Sequence, residues 1–160
     1  MPSATSQIQC PDGRVGGSDY KIYPEASGQS FIAGALVKLV SGKVTVVAGT
    51  SGSTLEYDVI GLAVSAASGT VDTDCLIKTI DSKTLLSVCI YAASASNAVT
   101  AVAAVGTILD VKNDSGKHCV NYDSSSYPMF LIKGIDLAYA TGTAYGRYLC
   151  NIIPARLLPS

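Results

Sequence analysis

Phe31-Ile-Ala-Gly-Ala-Leu-Val-Lys-Leu-Val-Ser-Gly-Lys-Val-Thr-Val-Val-Ala48, a Gly/Ser/Thr spacer, and Tyr57-Asp-Val-Ile-Gly-Leu-Ala-Val-Ser-Ala66 decide the fold class. Two β-branched runs flank Ser41-Gly42, a residue pair suited to a tight hairpin turn, and the second segment reads as a third strand. Gly34 and Gly61 interrupt their runs, as glycines do at bulges and sharp barrel corners. Nothing in the stretch makes a catalytic dyad, a metal cluster or a phosphate loop.

The pattern continues outward. Cys75–Ile80 and Leu85–Tyr91 read as a further antiparallel pair, and Thr107–Lys112 and Lys117–Tyr122 flank a turn at Asn113–Gly116. Met129–Leu137 and Gly146–Ile153 follow, the last ended by Pro154. One helix is expected, with Ser96 or Asn97 as N-cap, an apolar face through Ala98, Val99, Val102, Ala103 and Val105, and Gly106 as its stop. The many valines keep a strand open as the alternative there. The expected fold is mainly β: a small antiparallel β-barrel over 31–154, with one short helix, an extended N-terminal arm over 1–30 and a C-terminal tail over 155–160.

Only 14% of the 160 residues are charged, while 48% are apolar. A monomer needs charge to keep its surface wet, so this balance points to a surface partly covered by other subunits. Abundant Ser, Thr, Asn and Gly are the other way to solvate it. The net charge of −1, with Lys and Arg scattered singly, argues against nucleic acid or an anionic membrane as partner. No apolar run approaches the ~18 residues that span a bilayer. The first ten residues have neither a basic start nor an apolar core, so the expectation is synthesis in a cytoplasm.

Five cysteines lie far apart with no Cys-x-x-Cys, which disfavours a zinc or redox motif. Cys75, Cys89 and Cys150 fall in apolar strand patterns and read as small buried hydrophobes. His118-Cys119 is the sole His/Cys neighbour pair, but adjacent strand residues point to opposite faces. Asp72 and Asp74 lack further carboxylates nearby and read as a solvated loop. No catalytic residue, cofactor or metal site is therefore expected.

The candidate interface lies in the arm. Tyr20, Ile22 and Tyr23 place two rings and an aliphatic chain within four positions of a segment otherwise too polar to order itself. The segment reads as a disordered tail or as an arm that docks on a partner. If extended, Tyr20 and Ile22 face one way while Lys21 and Tyr23 face the other.

In order, Phe31–Val37, the Ser41-Gly42 turn, Lys43–Val47 and the returning Val59–Ala63 resemble the decoration (cement) proteins of tailed-bacteriophage heads. The run from Val105 to Tyr122, and Ile135 followed by Gly146–Pro154, are similar too. The resemblance implies a non-enzymatic virion module, trimeric or sometimes dimeric, that binds the major capsid protein shell from outside and stabilises it, assembled in the host cytoplasm. Two other readings stand beside it. One is a glycan- or small-molecule-binding barrel of lectin or adhesin type, using some of the nine tyrosines. The other is a different head or tail part.

Overall fold

The computed structural model describes residues 20–49, 57–94, 96 and 98–159. It is mainly β, built as two five-stranded sheets rather than one barrel. The first sheet contains β1 (Tyr20–Pro24), β2 (Leu36–Val40), β3 (Lys43–Val46), β4 (Val59–Ala63) and β5 (Asp74–Thr79), in the order β1-β5-β4-β2-β3. The second contains β6 (Leu86–Tyr91), β7 (Ile108–Asp114), β8 (Lys117–Asn121), β9 (Pro128–Ile135) and β10 (Arg147–Ile152). Its order is β10-β6-β8-β7-β9, and β9 pairs back onto β10, so the hydrogen bonding runs round a ring.

The deciding stretch folds as its sequence implies. β2 and β3 are joined by Ser41-Gly42, both at positive φ (50° and 76°), the two-residue turn whose twist matches that of the strands. β4 returns antiparallel to β2. Val37 pairs with Gly61 but Lys38 with Val59, so the register slips there and β4 carries a bulge beside Gly61. A Cβ on Gly61 would run into the Lys78 carbonyl oxygen and lie 2.9 Å from Ile77 Cγ2, so β4 and β5 meet closely only because the residue is glycine. Gly34 does not interrupt a strand. It turns the chain, at φ 81°, just ahead of β2.

Three further expectations fail. The helix at 98–105 does not form: Val99 bridges Ala144, and only Val102–Ala104 makes a single 3₁₀ turn. Its backbone groups are taken elsewhere. Thr100 N–H donates to Thr143 O, Gly142 N–H to Thr100 O, and Ala101 N–H to the Tyr148 hydroxyl. A two-turn, valine-rich helix has too little intrinsic stability to compete with these. Of its candidate caps, Asn97 lies outside the described residues. Among the described residues the only other helical element is the 3₁₀ turn Pro154–Arg156.

Second, β5 and β6 are not partners. β5 lies between β1 and β4, while β6 starts the other sheet between β10 and β8. Third, the pairing is not all antiparallel, because β6 and β8 run parallel over only three residue pairs. The hairpin of β7 and β8 forms as expected, with a turn of two residues, Ser115-Gly116, rather than four.

The two sheets share one core. Leu36, Val47, Val59 and Leu62 from the first sheet and its flanks pack with Val88, Ile90, Val120, Phe130, Ile132 and Tyr148 of the ring. A second cluster, Phe31, Val37, Val44, Ile60, Ala63, Cys75 and Ile77, fills the opposite side of the first sheet. That sheet is rolled enough for Glu25, just past β1, to bridge Val44 of β3.

Candidate interaction surface

The buried polar groups come first, because chemistry would have to come from them. His118 is 1% exposed and ties the sheets together. Its Nδ1 accepts from Leu36 N–H at 3.1 Å, and its Nε2 lies 2.6 Å from Val47 O, which the neutral Nε2–H tautomer satisfies. Glu25, also buried, accepts from Ser68 N–H, the Ser68 hydroxyl and Gly69 N–H, so its carboxylate holds the 68–69 turn. Asp110 does the same for the loop before β9 by accepting from the Ser124 hydroxyl and Tyr127 N–H. Arg147 Nε donates to the Ser87 hydroxyl, which donates to Asp136, and Nη2 donates to Ser87 O. Burial lowers the Arg147 pKa, partly offset by Tyr139 and Asp136.

Cysteine reading missed one pair. Cys89 and Cys119 are directly opposed in the β6–β8 register and form a disulfide, so Cys89 is not a plain buried hydrophobe. Each sits on the opposite parity from Val88, Ile90 and Val120, which face the shared core. Spacing gave no signal because the pairing depends on a parallel contact between strands separated by a whole hairpin arm. Cys75 and Cys150 are free and buried, as the strand pattern implied, and Cys10 lies outside the described residues. Burial pushes the Cys150 thiol far up and the Cys75 thiol up as well, the latter with help from Glu25. Both are thereby held as the weakly nucleophilic thiol.

Among the described residues no three His, Cys, Asp or Glu side chains gather to hold a metal. Asp72 and Asp74 do not converge: Asp72 pairs with Lys43 at 2.7 Å on the surface, and Asp74 lies opposite Pro24.

Tyr20, Ile22 and Tyr23 lie on β1, hydrogen-bonded to β5 of the same chain, so this part of the expected arm is a strand of the first sheet, while residues 1–19 lie outside the described residues. The alternation is as expected for an extended segment. Tyr23 is half-buried against the second cluster, whereas Tyr20 and Ile22 are 58% and 62% exposed on the other face. Sequence reasoning missed what lies beside them. Ile22 is opposite Leu76, and the N–H of Val64, just past β4, donates to Leu76 O, so three exposed apolar side chains form one row across three strands. Leu62, further along the same face, is buried beneath the ring; the row lies where that cover ends.

β1 is also an edge. Glu25 N–H donates to Thr73 O, which fixes the alternation: Lys21 and Tyr23 exchange backbone bonds with β5, and the backbone groups of Tyr20 and Ile22 point away from it. Among the described residues nothing pairs with those groups. The exposed side chains and the open backbone thus belong to the same two residues.

No family model, curated protein or solved structure matches the chain.

Proposed function

We propose that this protein is a virion structural protein, a decoration or cement protein that binds the outer surface of a major capsid protein shell and stabilises it, acting as a self-associating module. In this reading the ring of β6–β10 is the small β-barrel of the resemblance, and the first sheet presents the contact surface. The observation that carries it is the apolar row Ile22–Leu76–Val64 beside the open start of β1. In a chain with so few charges, such a surface is what a partner covers. A binder that bridges neighbouring capsid subunits stabilises the shell through linkage alone and needs no reactive groups. The Cys89–Cys119 pair suits a protein synthesised in the host cytoplasm but resident on a particle released into an oxidising medium.

The test is binding to capsid shells. Purified protein is mixed with shells lacking it, co-sedimented, and the shells' resistance to heating is compared with and without it. Saturable co-sedimentation and a higher disruption temperature are expected. Protein left entirely in the supernatant overturns the capsid reading.

A further inference from the structure

We infer that the uncharged cap over the far end of the ring is a self-association surface, on which a second copy of this chain packs its own cap about a two-fold axis. The inference deepens the self-association part of the functional reading and does not depend on the capsid part.

The cap follows from where the ring's strands begin and end. The β7–β8 hairpin and the end of β10 lie against the first sheet: His118 and Asn113 meet the backbone of Leu36 and Val47, and Leu157 bridges Val59. At the opposite end β6, β8 and β9 finish, and β7 and β10 start. Two stretches close that end, 98–108 and 137–146, and they are bonded to each other. Val99 bridges Ala144, Thr100 N–H donates to Thr143 O, and Tyr145 N–H donates to Ala98 O. From beneath, the hydroxyl of the buried Tyr148 accepts from Ala101 N–H.

Neither stretch carries charge. The longest run of the sequence without Lys, Arg, His, Asp or Glu, from Thr84 to Leu109, supplies the first, and Leu137 to Gly146 has none either. The charged residues that flank them turn inward, Asp110 to Ser124 and Tyr127, Asp136 and Arg147 to Ser87. Apolar side chains stand out instead. Leu137 is 98% exposed, Val102 65%, Tyr145 56%, Val105 42% and Ile108 39%. Tyr145 holds its ring out at φ 52°, a left-handed backbone conformation that favours glycine and costs a tyrosine about 1 kcal/mol or more.

A second copy is the occupant these features select. In a two-fold contact each patch meets itself, so a charge near the axis faces its own sign, and a patch with no charge escapes that repulsion. The area agrees. The five side chains present on the order of 600 Å² per copy. Two such faces bury about 1,200 Å², the size at which stable, specific interfaces begin. The contact closes on itself and makes a dimer. Joined caps also leave the row Ile22–Leu76–Val64 of each copy open, so self-association and partner binding draw on separate surfaces.

Sedimentation of the full chain at micromolar concentration, in a Cys10→Ser background, should show a dimer. Leu137→Asp should raise its dissociation constant at least ~10-fold, and Val102→Asp should do the same from the other stretch. Both side chains project into solvent, so the circular dichroism spectrum should stay unchanged. Ile22→Lys, on the first sheet, should leave the dimer intact. A full chain that stays monomeric, a dimer that either Asp variant leaves intact, a dimer broken by Ile22→Lys, or species that grow beyond the dimer overturns the cap contact. A monomer that still binds shells refutes the cap contact and leaves the capsid reading standing. A dimer that never binds shells does the reverse.

Discussion

Reducing the Cys89–Cys119 bond, or replacing both residues by alanine, should cost this protein about a third of an ordinary domain's stability. The two cysteines are 30 residues apart in sequence, and closing a loop of that length removes about 3.6 kcal/mol of denatured-chain entropy at room temperature. The bond also lies at one of the ring's two shortest seams. β6 and β8 share three residue pairs, as do β7 and β9, against five for β7 with β8, and they are the ring's only parallel pair. Native-state strain and residual denatured structure lower such figures, so a measured loss of 2–4 kcal/mol is expected. For a chain of this length that corresponds to roughly 5–15 °C in Tm. The assay is urea unfolding of the oxidised protein, the reduced protein and the Cys89→Ala/Cys119→Ala variant, followed by circular dichroism. Because the cross-link acts on the unfolded chain, the reduced forms should also show a steeper denaturant dependence. If oxidised and reduced protein unfold within about 1 kcal/mol of each other, the bond does not hold the seam and the reasoning fails.

His118→Ala should destabilise by about 2–4 kcal/mol, because it strands the Leu36 N–H and Val47 carbonyl in a dry site; a urea titration showing under about 1 kcal/mol would place those groups elsewhere. Gly61→Ala should cost about 1–3 kcal/mol or more by pushing β5 off β4, and a neutral result in the same titration would mean that the bulge relaxes freely. At alkaline pH, burial raises the pKa of Cys150, Cys75 and Tyr148 above their ordinary 9.0, 9.0 and 10.0. The unfolded chain therefore loses these protons before the folded one does. Their contribution is complete below the unfolded values and is lost as pH rises from there through the higher folded values, so the urea midpoint should begin to fall at about pH 8 and still be falling beyond about pH 10.5. Cys150→Ala should flatten that fall, and an unchanged slope would show that this thiol does not drive it.

The sequence carried those parts of the structure whose cause is local. Ser41-Gly42 and Ser115-Gly116 specify their turns by backbone preference alone, and both hairpins formed where they stand. The alternation of Tyr20 to Tyr23 was equally legible, since side-chain direction on a strand follows from counting by two. What stayed hidden depends on which distant strand lies alongside. The Cys89–Cys119 pair needs β8 to cross back beside β6, and the exposed row needs β5 between β1 and β4; neither adjacency leaves a trace in spacing. The segment at 98–105 misled for the complementary reason: its helical periodicity was real, but Thr143, Gly142 and Tyr148 claim its backbone groups from some forty residues away.

The ring has a consequence for how the chain is made. Every strand of the first sheet comes from residues 20–79, and every strand of the ring from residues 86–152. A ribosome therefore releases one complete sheet before the other begins to close. The ring stays open until β10, its last strand, emerges to bridge β6 and β9. Until then the first sheet holds out Leu36, Val59 and Leu62 with no ring to cover them, and His118 has yet to arrive at Leu36 and Val47. The nascent protein is thus greasiest just before β10 emerges, and a stall there would leave a sticky half-molecule where a later pause would not.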